Sequence, residues 1–342
     1  MKRIALTYAV AAAGVAAFHF LGLPLPWLLG PIFACLGAAL AGLPLKGNKL
    51  VNDAMRSVLG VAVGATFTVA LLMSMIEMWP TLLLIPLMTL SIGAIGIPYF
   101  QRIWGFDFAT SYYSAMPGGL QDMLAFGEEA GGDVRALSLI HATRVMVIVV
   151  ALPFILQGVW GADLSNPPGA PAASIAPSQL LLMIFCGLVG WRGAKALGMF
   201  GASILGPLIL AAVFSLLGIL ENRPPAEAIW MAQFFIGMTV GTKYAGVTFS
   251  EVRRDVTAAI GFCVILLILT IIFAETIHLM ELAPPLETLL AFAPGGQAEM
   301  TVLALIVGAD MAFVIAHHVL RIFVVILGAP LAARLFSPKP VG

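Results

Sequence analysis

The sequence predicts an all-α polytopic membrane protein made of two inverted-topology repeats, each of about five transmembrane helices plus a Pro-Gly-Gly segment that is interrupted or re-entrant. Three observations predict it. Hydrophobic residues make up 61% of the chain and charged residues 10%, with a mean hydropathy of +1.04, and the apolar runs exceed the roughly 18 residues that mark a spanning helix. The stretch Pro117-Gly118-Gly119-Leu120-Gln121-Asp122-Met123 returns 177 positions later as Pro294-Gly295-Gly296-Gln297-Ala298-Glu299-Met300. Finally, the basic residues fall on alternate ends of the apolar runs, as the positive-inside bias requires.

The repeat extends beyond that stretch. At the same offset Gly131 matches Gly308, Asp133 matches Asp310, His141 matches His318, Arg144 matches Arg321 and Pro153 matches Pro330. Chance matches between apolar segments fall on Leu, Val and Ala, whereas these fall on Gly, Pro and charged residues. Two further echoes are Leu29-Gly30-Pro31 with Leu205-Gly206-Pro207, and Gly60-x-x-x-Gly64 with Gly237-x-x-x-Gly241. Glycines four apart let helix backbones approach closely in lipid, so helix packing accounts for the second.

In chain order, residues 4–22 read as a retained first helix, because the run after Lys2-Arg3 is long and no small-x-small cleavage site follows it. Residues 26–42, 54–76 and 79–100 read as three further spans. Residues 106–132 begin polar and aromatic, break at Pro117-Gly118-Gly119 and end acidic, so they do not form one lipid-facing helix. A span follows from Asp133 to about Leu156. Residues 158–177, with Pro167-Pro168-Gly169 and no Lys or Arg, read as an exposed linker. The second half repeats the plan with spans near 178–197, 199–220, 228–248 and 256–280, an interrupted segment 287–308 and a last span 310–335. The expected organisation is therefore a first membrane repeat 1–157, a periplasmic linker 158–177 and a second membrane repeat 178–342.

If the Pro-Gly-Gly segments do not cross, Lys2, Arg3, Lys46, Lys49, Arg56, Arg102, Arg135, Arg192, Lys195, Arg253, Arg254, Arg334 and Lys339 all fall on the cytoplasmic side, and Arg223 lies outside. Five crossings per half follow, an odd number, which makes the halves antiparallel and both termini cytoplasmic. The expected location is the bacterial inner membrane.

The backbone points to the chemistry. A Pro-Gly-Gly break frees N–H and C=O groups that lipid cannot satisfy, so it must be buried in protein or line a wet cavity. A half-helix beginning at Pro117 offers donors and a partial positive charge to an anion, and Pro294 offers the same from the other face. Arg144 and Arg321 fall near the middle of their spans, where a charge costs about 3 kcal/mol on insertion scales and must face the protein interior. The expected substrate-binding residues are Pro117, Gly118, Gly119, Gln121 and Arg144, with Pro294, Gly295, Gly296, Gln297 and Arg321. Asp122, Asp133, His141, Glu299, Asp310 and His318 are the candidates for proton or ion coupling. Structural ion pairs, Arg144 with Glu299 or Arg321 with Asp122, are the competing explanation for the arginines.

No cofactor and no catalytic residue is expected. The five histidines, His19, His141, His278, His317 and His318, lack metal-ligand spacing, and Cys35, Cys186 and Cys263 read as core-filling residues. A formal net charge of zero gives no basic face for nucleic acid. The partners expected are the lipid bilayer and a small-molecule solute; the oligomeric state is not legible.

The two-copy layout, with Leu-Leu-Gly-Pro near the first hairpin, Pro-Gly-Gly followed by an acid, then Asp, His and Arg on the next helix, resembles the bacterial AbrB duplication membrane proteins over nearly the whole chain. It is more loosely similar to broken-helix cation/proton antiporters and bile-acid symporters. Members of the AbrB family are labelled regulators of gene expression or ammonia monooxygenases. Transport of a small, anionic solute between the two breaks, with proton coupling, is the leading expectation. A membrane-embedded regulator comes second, and a monooxygenase third for want of a metal site.

Overall fold

The computed structural model describes residues 2–69, 73, 77–164, 167–199 and 201–336, and the described residues are helical with no strand. Among the described residues, five helices are long and apolar enough to cross a membrane: Lys2–Phe20, Trp79–Ile103, Val134–Trp160, Phe249–Leu279 and Met311–Ala333. Large apolar side chains stand exposed along such helices, among them Leu83, Leu87 and Leu90 on one, and Ile268, Ile271 and Ile272 on another. That is how a surface in contact with lipid tails is built.

Other expected spans are shorter helices. Residues 26–42 give Pro26–Leu40, 199–220 give Ala202–Leu216 and 228–248 give Ala226–Thr242. A helix of 15 residues is roughly 22 Å long, less than the hydrocarbon thickness of about 30 Å. The expected span 54–76 is displaced, because the helix starts early at Lys49 and ends at Gly64. Asn48 sets the start by accepting from the Leu50 and Val51 N–H groups; residues 70–72 and 74–76 of that expected span lie outside the described residues.

The chain forms two compact units, and each draws on both sequence halves. The first comprises Met1–Glu77, Leu152–Gly246 and Gln297–Ala312; the second comprises Met78–Ala151, Val247–Gly296 and Phe313–Gly342.

In the first unit, glycines bring backbones together. A Cβ at Gly60 would overlap the Ile204 carbonyl oxygen and one at Gly64 that of Leu208, while Gly237 and Gly241 face Leu28 and Ile32 in the same way. Gly14 against Gly30 and Gly190 against Gly206 make a further matched pair of contacts. The glycine spacing in the sequence is thus a packing device, and it recurs at the sequence offset. The segment after residue 158 is tied to this unit: the Ala226 N–H donates to the Ala170 carbonyl at 2.9 Å, and the Ala172 N–H to Glu227 at 3.1 Å. Leu164 and Ile175 are buried, so the stretch expected to be an exposed linker is anchored at several points.

The second unit holds both Pro-Gly-Gly breaks. Phe108–Ala115 and Leu120–Glu129 flank the first, while Pro285–Phe292 leads into the second. The half-helices begin at Leu120 and Gln297, three residues after the prolines expected to start them. Gly119 is extended, at φ −66° and ψ 141°, and serves as the cap without entering the helix. Gly131 and Gly308 both take left-handed φ, +79° and +69°, which only glycine adopts without strain. The first turns the chain after Leu120–Glu129, with the Gly132 N–H bonded back to the Gly127 carbonyl at 2.8 Å.

Candidate functional site

The site is built from the carbonyls that each break leaves unpaired. At and beyond the end of Phe108–Ala115, the Tyr113, Met116 and Gly118 carbonyls need partners from outside the helix, since a buried helix end without substitutes is costly. The helix Val134–Trp160 supplies the substitutes. His141 Nε2 bonds the Tyr113 carbonyl at 3.0 Å, and Arg144 donates from Nη1 to Met116 at 3.0 Å and from Nη2 to Gly118 at 2.9 Å. The second break repeats this atom for atom: His318 Nε2 to Leu290 at 2.9 Å, Arg321 Nη1 to Ala293 at 2.8 Å and Nη2 to Gly295 at 3.2 Å. Histidine and arginine stand three residues apart and therefore on one helix face. A cation at the C-terminal end of a half-helix also meets the negative end of its dipole.

A carbonyl oxygen only accepts, so Nε2 carries the proton in both histidines. The ring Nδ1 is then a lone pair. In His318 it accepts from Arg321 Nη2 at 3.0 Å, whereas in His141 it has no partner. Each arginine keeps Nε–H buried and unpartnered. Both arginines are 3% exposed, and both lie in the second unit. Within this unit, among the described residues, no carboxylate is in ion-pair contact with either; the proposed pair of Arg321 with Asp122 is not formed, and Glu251 pairs with Arg135 at 2.6 Å instead.

The expected acids divide into two kinds. Asp133 and Asp310 cap the long helices: Asp133 Oδ1 accepts from the Arg135 and Ala136 N–H groups at 2.9 and 3.1 Å, and Asp310 from Ala312 at 2.9 Å. Their duplication follows from capping. Asp122 and Glu299 occupy the first turns of Leu120–Glu129 and Gln297–Val307, where a negative charge suits the helix dipole. Those acids already offset the positive helix ends expected to attract an anion. Glu299 is 5% exposed, with Oε2 unpartnered.

Pro117, Gly118, Gly119, His141, Arg144, Pro294, Gly295, Gly296, His318 and Arg321 thus share the second unit, as do Asp122 and Asp133, while Gln297, Glu299 and Asp310 belong to the first. Gln297 keeps its Nε2 buried and unpartnered; the Gln121 side chain lies outside the described residues. Among the described residues no three His, Cys, Asp or Glu side chains gather as metal ligands.

The sequence alone assigned no site role to two polar groups of this unit. Ser114, fully buried, has an unpartnered Oγ, and Ala291 stands at its place in the second copy, so a search for duplicated residues passes over it. His317 bonds the Phe313 carbonyl through Nδ1 at 2.7 Å and Thr81 Oγ1 through Nε2 at 2.9 Å. Ile140 is its counterpart.

Known proteins resemble the chain along nearly all its length. The protein YhjN of Bacillus subtilis (strain 168), described as uncharacterized, is 26% identical over 96% of this chain and 91% of its own length. A protein of Escherichia coli (strain K12), provisionally named regulator AbrB, is 26% identical over 92% of this chain and 91% of its own. Residues 27–337, which include both breaks and both arginine helices, match the family described as "Transition state regulatory protein AbrB", and the chain belongs to that AbrB family.

Proposed function

We propose that the chain is a secondary transporter of a small anionic solute, bound at the two Pro-Gly-Gly breaks near the midplane of the bacterial inner membrane, and that it is not an enzyme. One observation carries the reading: two buried guanidiniums in a single unit, Arg144 and Arg321, each engage backbone carbonyls and keep an N–H free. Two like charges away from water are costly without a counter-charge, and an anion from solution supplies one. Inverted-topology halves give such a site access from either face in turn. That topology, with both termini cytoplasmic and residues 158–177 periplasmic, rests on the basic residues and on contacts that recur between the copies. Asp122 and Glu299, duplicated acids at the starts of the half-helices, are the proposed proton carriers. The partners are the bilayer and the solute, with no nucleic acid.

The family description and the name of the Escherichia coli relative favour a second reading, in which the same site senses a ligand and regulates gene expression. Uptake separates the two. Purified protein in proteoliposomes, offered labelled small carboxylates with and without a pH gradient, should accumulate at least one of them, and Arg144→Gln or Arg321→Gln should abolish accumulation. Binding without uptake under both conditions would refute transport in favour of sensing. For topology, cysteines placed at Ser174 and Lys2 should label from opposite faces; labelling of both from one face would end the inverted-repeat proposal.

A further inference from the structure

The second unit holds a buried histidine besides the two at the breaks, and its ring is bonded the other way round. His317 is 0% exposed. Its Nδ1 lies 2.7 Å from the Phe313 carbonyl and its Nε2 lies 2.9 Å from Thr81 Oγ1. A carbonyl only accepts, so the proton of the neutral ring is on Nδ1 and Nε2 is a lone pair, the reverse of His141 and His318. Thr81 Oγ1 in turn lies 2.9 Å from the Met78 carbonyl, which also accepts from the Leu82 N–H at 3.0 Å. All these residues belong to the second unit. Only one copy of the repeat carries the group, since Ile140 stands at the place of His317 in the first.

The contacts form a chain from the Phe313 carbonyl through the imidazole and the hydroxyl to the Met78 carbonyl, and a neutral ring supplies too few hydrogens for it. One ring N–H serves Phe313, and the single O–H serves either the ring or Met78. A proton added to the Nε2 lone pair completes the chain. Nε2–H then donates to Thr81 Oγ1, the hydroxyl hydrogen turns to the Met78 carbonyl, and no heavy atom has to move. One N–H bond forms at the expense of a protonated water. Resting on the transporter reading, we infer that His317 binds a coupling proton together with the anion, in addition to the acids at the half-helix starts. The charged groups around the ring supply the link. The helix Trp79–Pro98 carries none, and Pro285–Phe292, whose Phe292 ring lies 5.4 Å from the imidazole, carries Glu287 in its first turn. On its own helix stand His318, whose Nδ1 accepts from Arg321, and Arg321 itself, one turn on and on the same face. A proton on His317 is therefore a like charge near a guanidinium, and an anion on that guanidinium removes the penalty. By reciprocity the proton favours the anion by the same factor.

Histidine-selective nitrogen NMR of the purified full-length protein in micelles reads the ring directly. The His317 signals are identified by their loss in His317→Gln and by their shift in Thr81→Val. From about pH 8 down to about pH 5, the range in which imidazoles change charge, Nε2 should pass from a bare acceptor to an N–H. In proteoliposomes offered labelled small carboxylates, His317→Gln should reduce accumulation driven by a pH gradient about ten-fold or more, within the range of coupling between sites. Thr81→Val, which removes the hydroxyl and keeps the size of the side chain, should lower it in the same sense. A His317 ring that stays in one form throughout the titration would overturn the inference and leave the anion site standing. Gradient-driven accumulation equal to wild type in either variant, once folded, would overturn it as well. If the wild-type protein accumulates no carboxylate under any condition, the transporter reading itself falls, and the coupling falls with it.

Discussion

Replacing Arg144 with Gln removes two charged hydrogen bonds, to the Met116 and Gly118 carbonyls. At about 1.5–3 kcal/mol each, the loss is about 3–6 kcal/mol. Removing the charge from the membrane interior returns about 3 kcal/mol. The net destabilisation expected is therefore small, about 0–3 kcal/mol. Arg321→Gln loses the contact with His318 Nδ1 besides its two carbonyls and should cost about 1.5–3 kcal/mol more. The double variant fixes the sign of the coupling. Two like charges buried in one unit repel each other, and each single replacement relieves a repulsion that the double replacement relieves only once. The double variant should be less stable than the sum of the singles by about 0.5–3 kcal/mol, the range for residues that interact. Reversible unfolding in detergent, without carboxylates, measures all three. A double variant milder than the sum would mean that the arginines share an attractive partner, and the argument for an anion site from unneutralised charge would fail.

Three further outcomes are expected. A Cβ at Gly118 would lie 2.8–2.9 Å from Met123 and Val325 side-chain atoms, so Gly118→Leu should abolish uptake with membrane insertion intact; normal uptake would leave the break a packing feature. Gly60→Leu and Gly237→Leu push against the Ile204 and Leu28 carbonyls and should each lose about 1–3 kcal/mol or more in unfolding experiments, the usual cost of overpacking. Asp133→Ala should cost about 1 kcal/mol, the worth of a cap, and spare uptake, whereas a coupling role predicts loss of proton-driven uptake at unchanged stability.

The membrane class and the two breaks were legible because they depend on composition and on residues that tolerate few substitutes. Helix ends were less so. Asn48 starts its helix well before the expected span, and Gly119 delays the next one past Pro117, since capping competes with hydropathy residue by residue. The interleaving of the sequence halves into two compact units is a matter of tertiary contact between distant glycines and carbonyls, such as Gly60 with Ile204. A one-dimensional repeat carries no signal for that. The aspartates show a different limit. Asp133 and Asp310 stood out as membrane charges, yet at the helix starts they satisfy backbone N–H groups, and spacing alone does not separate a cap from a coupling site.

Duplication is thus a filter with a bias. It retains what both copies need, and what both need is to hold broken backbone in lipid: left-handed glycines, capping aspartates, and a histidine and an arginine on orphaned carbonyls. Ser114, with Ala291 opposite it in the alignment of the copies, and the His141 Nδ1 that Arg144 leaves open while Arg321 closes its counterpart, are differences laid on an otherwise matched frame. Buried polar atoms left without partners are expensive, and Arg321 satisfies in the second copy the ring nitrogen that Arg144 leaves open in the first. The copies therefore agree in how they hold the broken backbone and differ in which buried polar atoms stay unpaired.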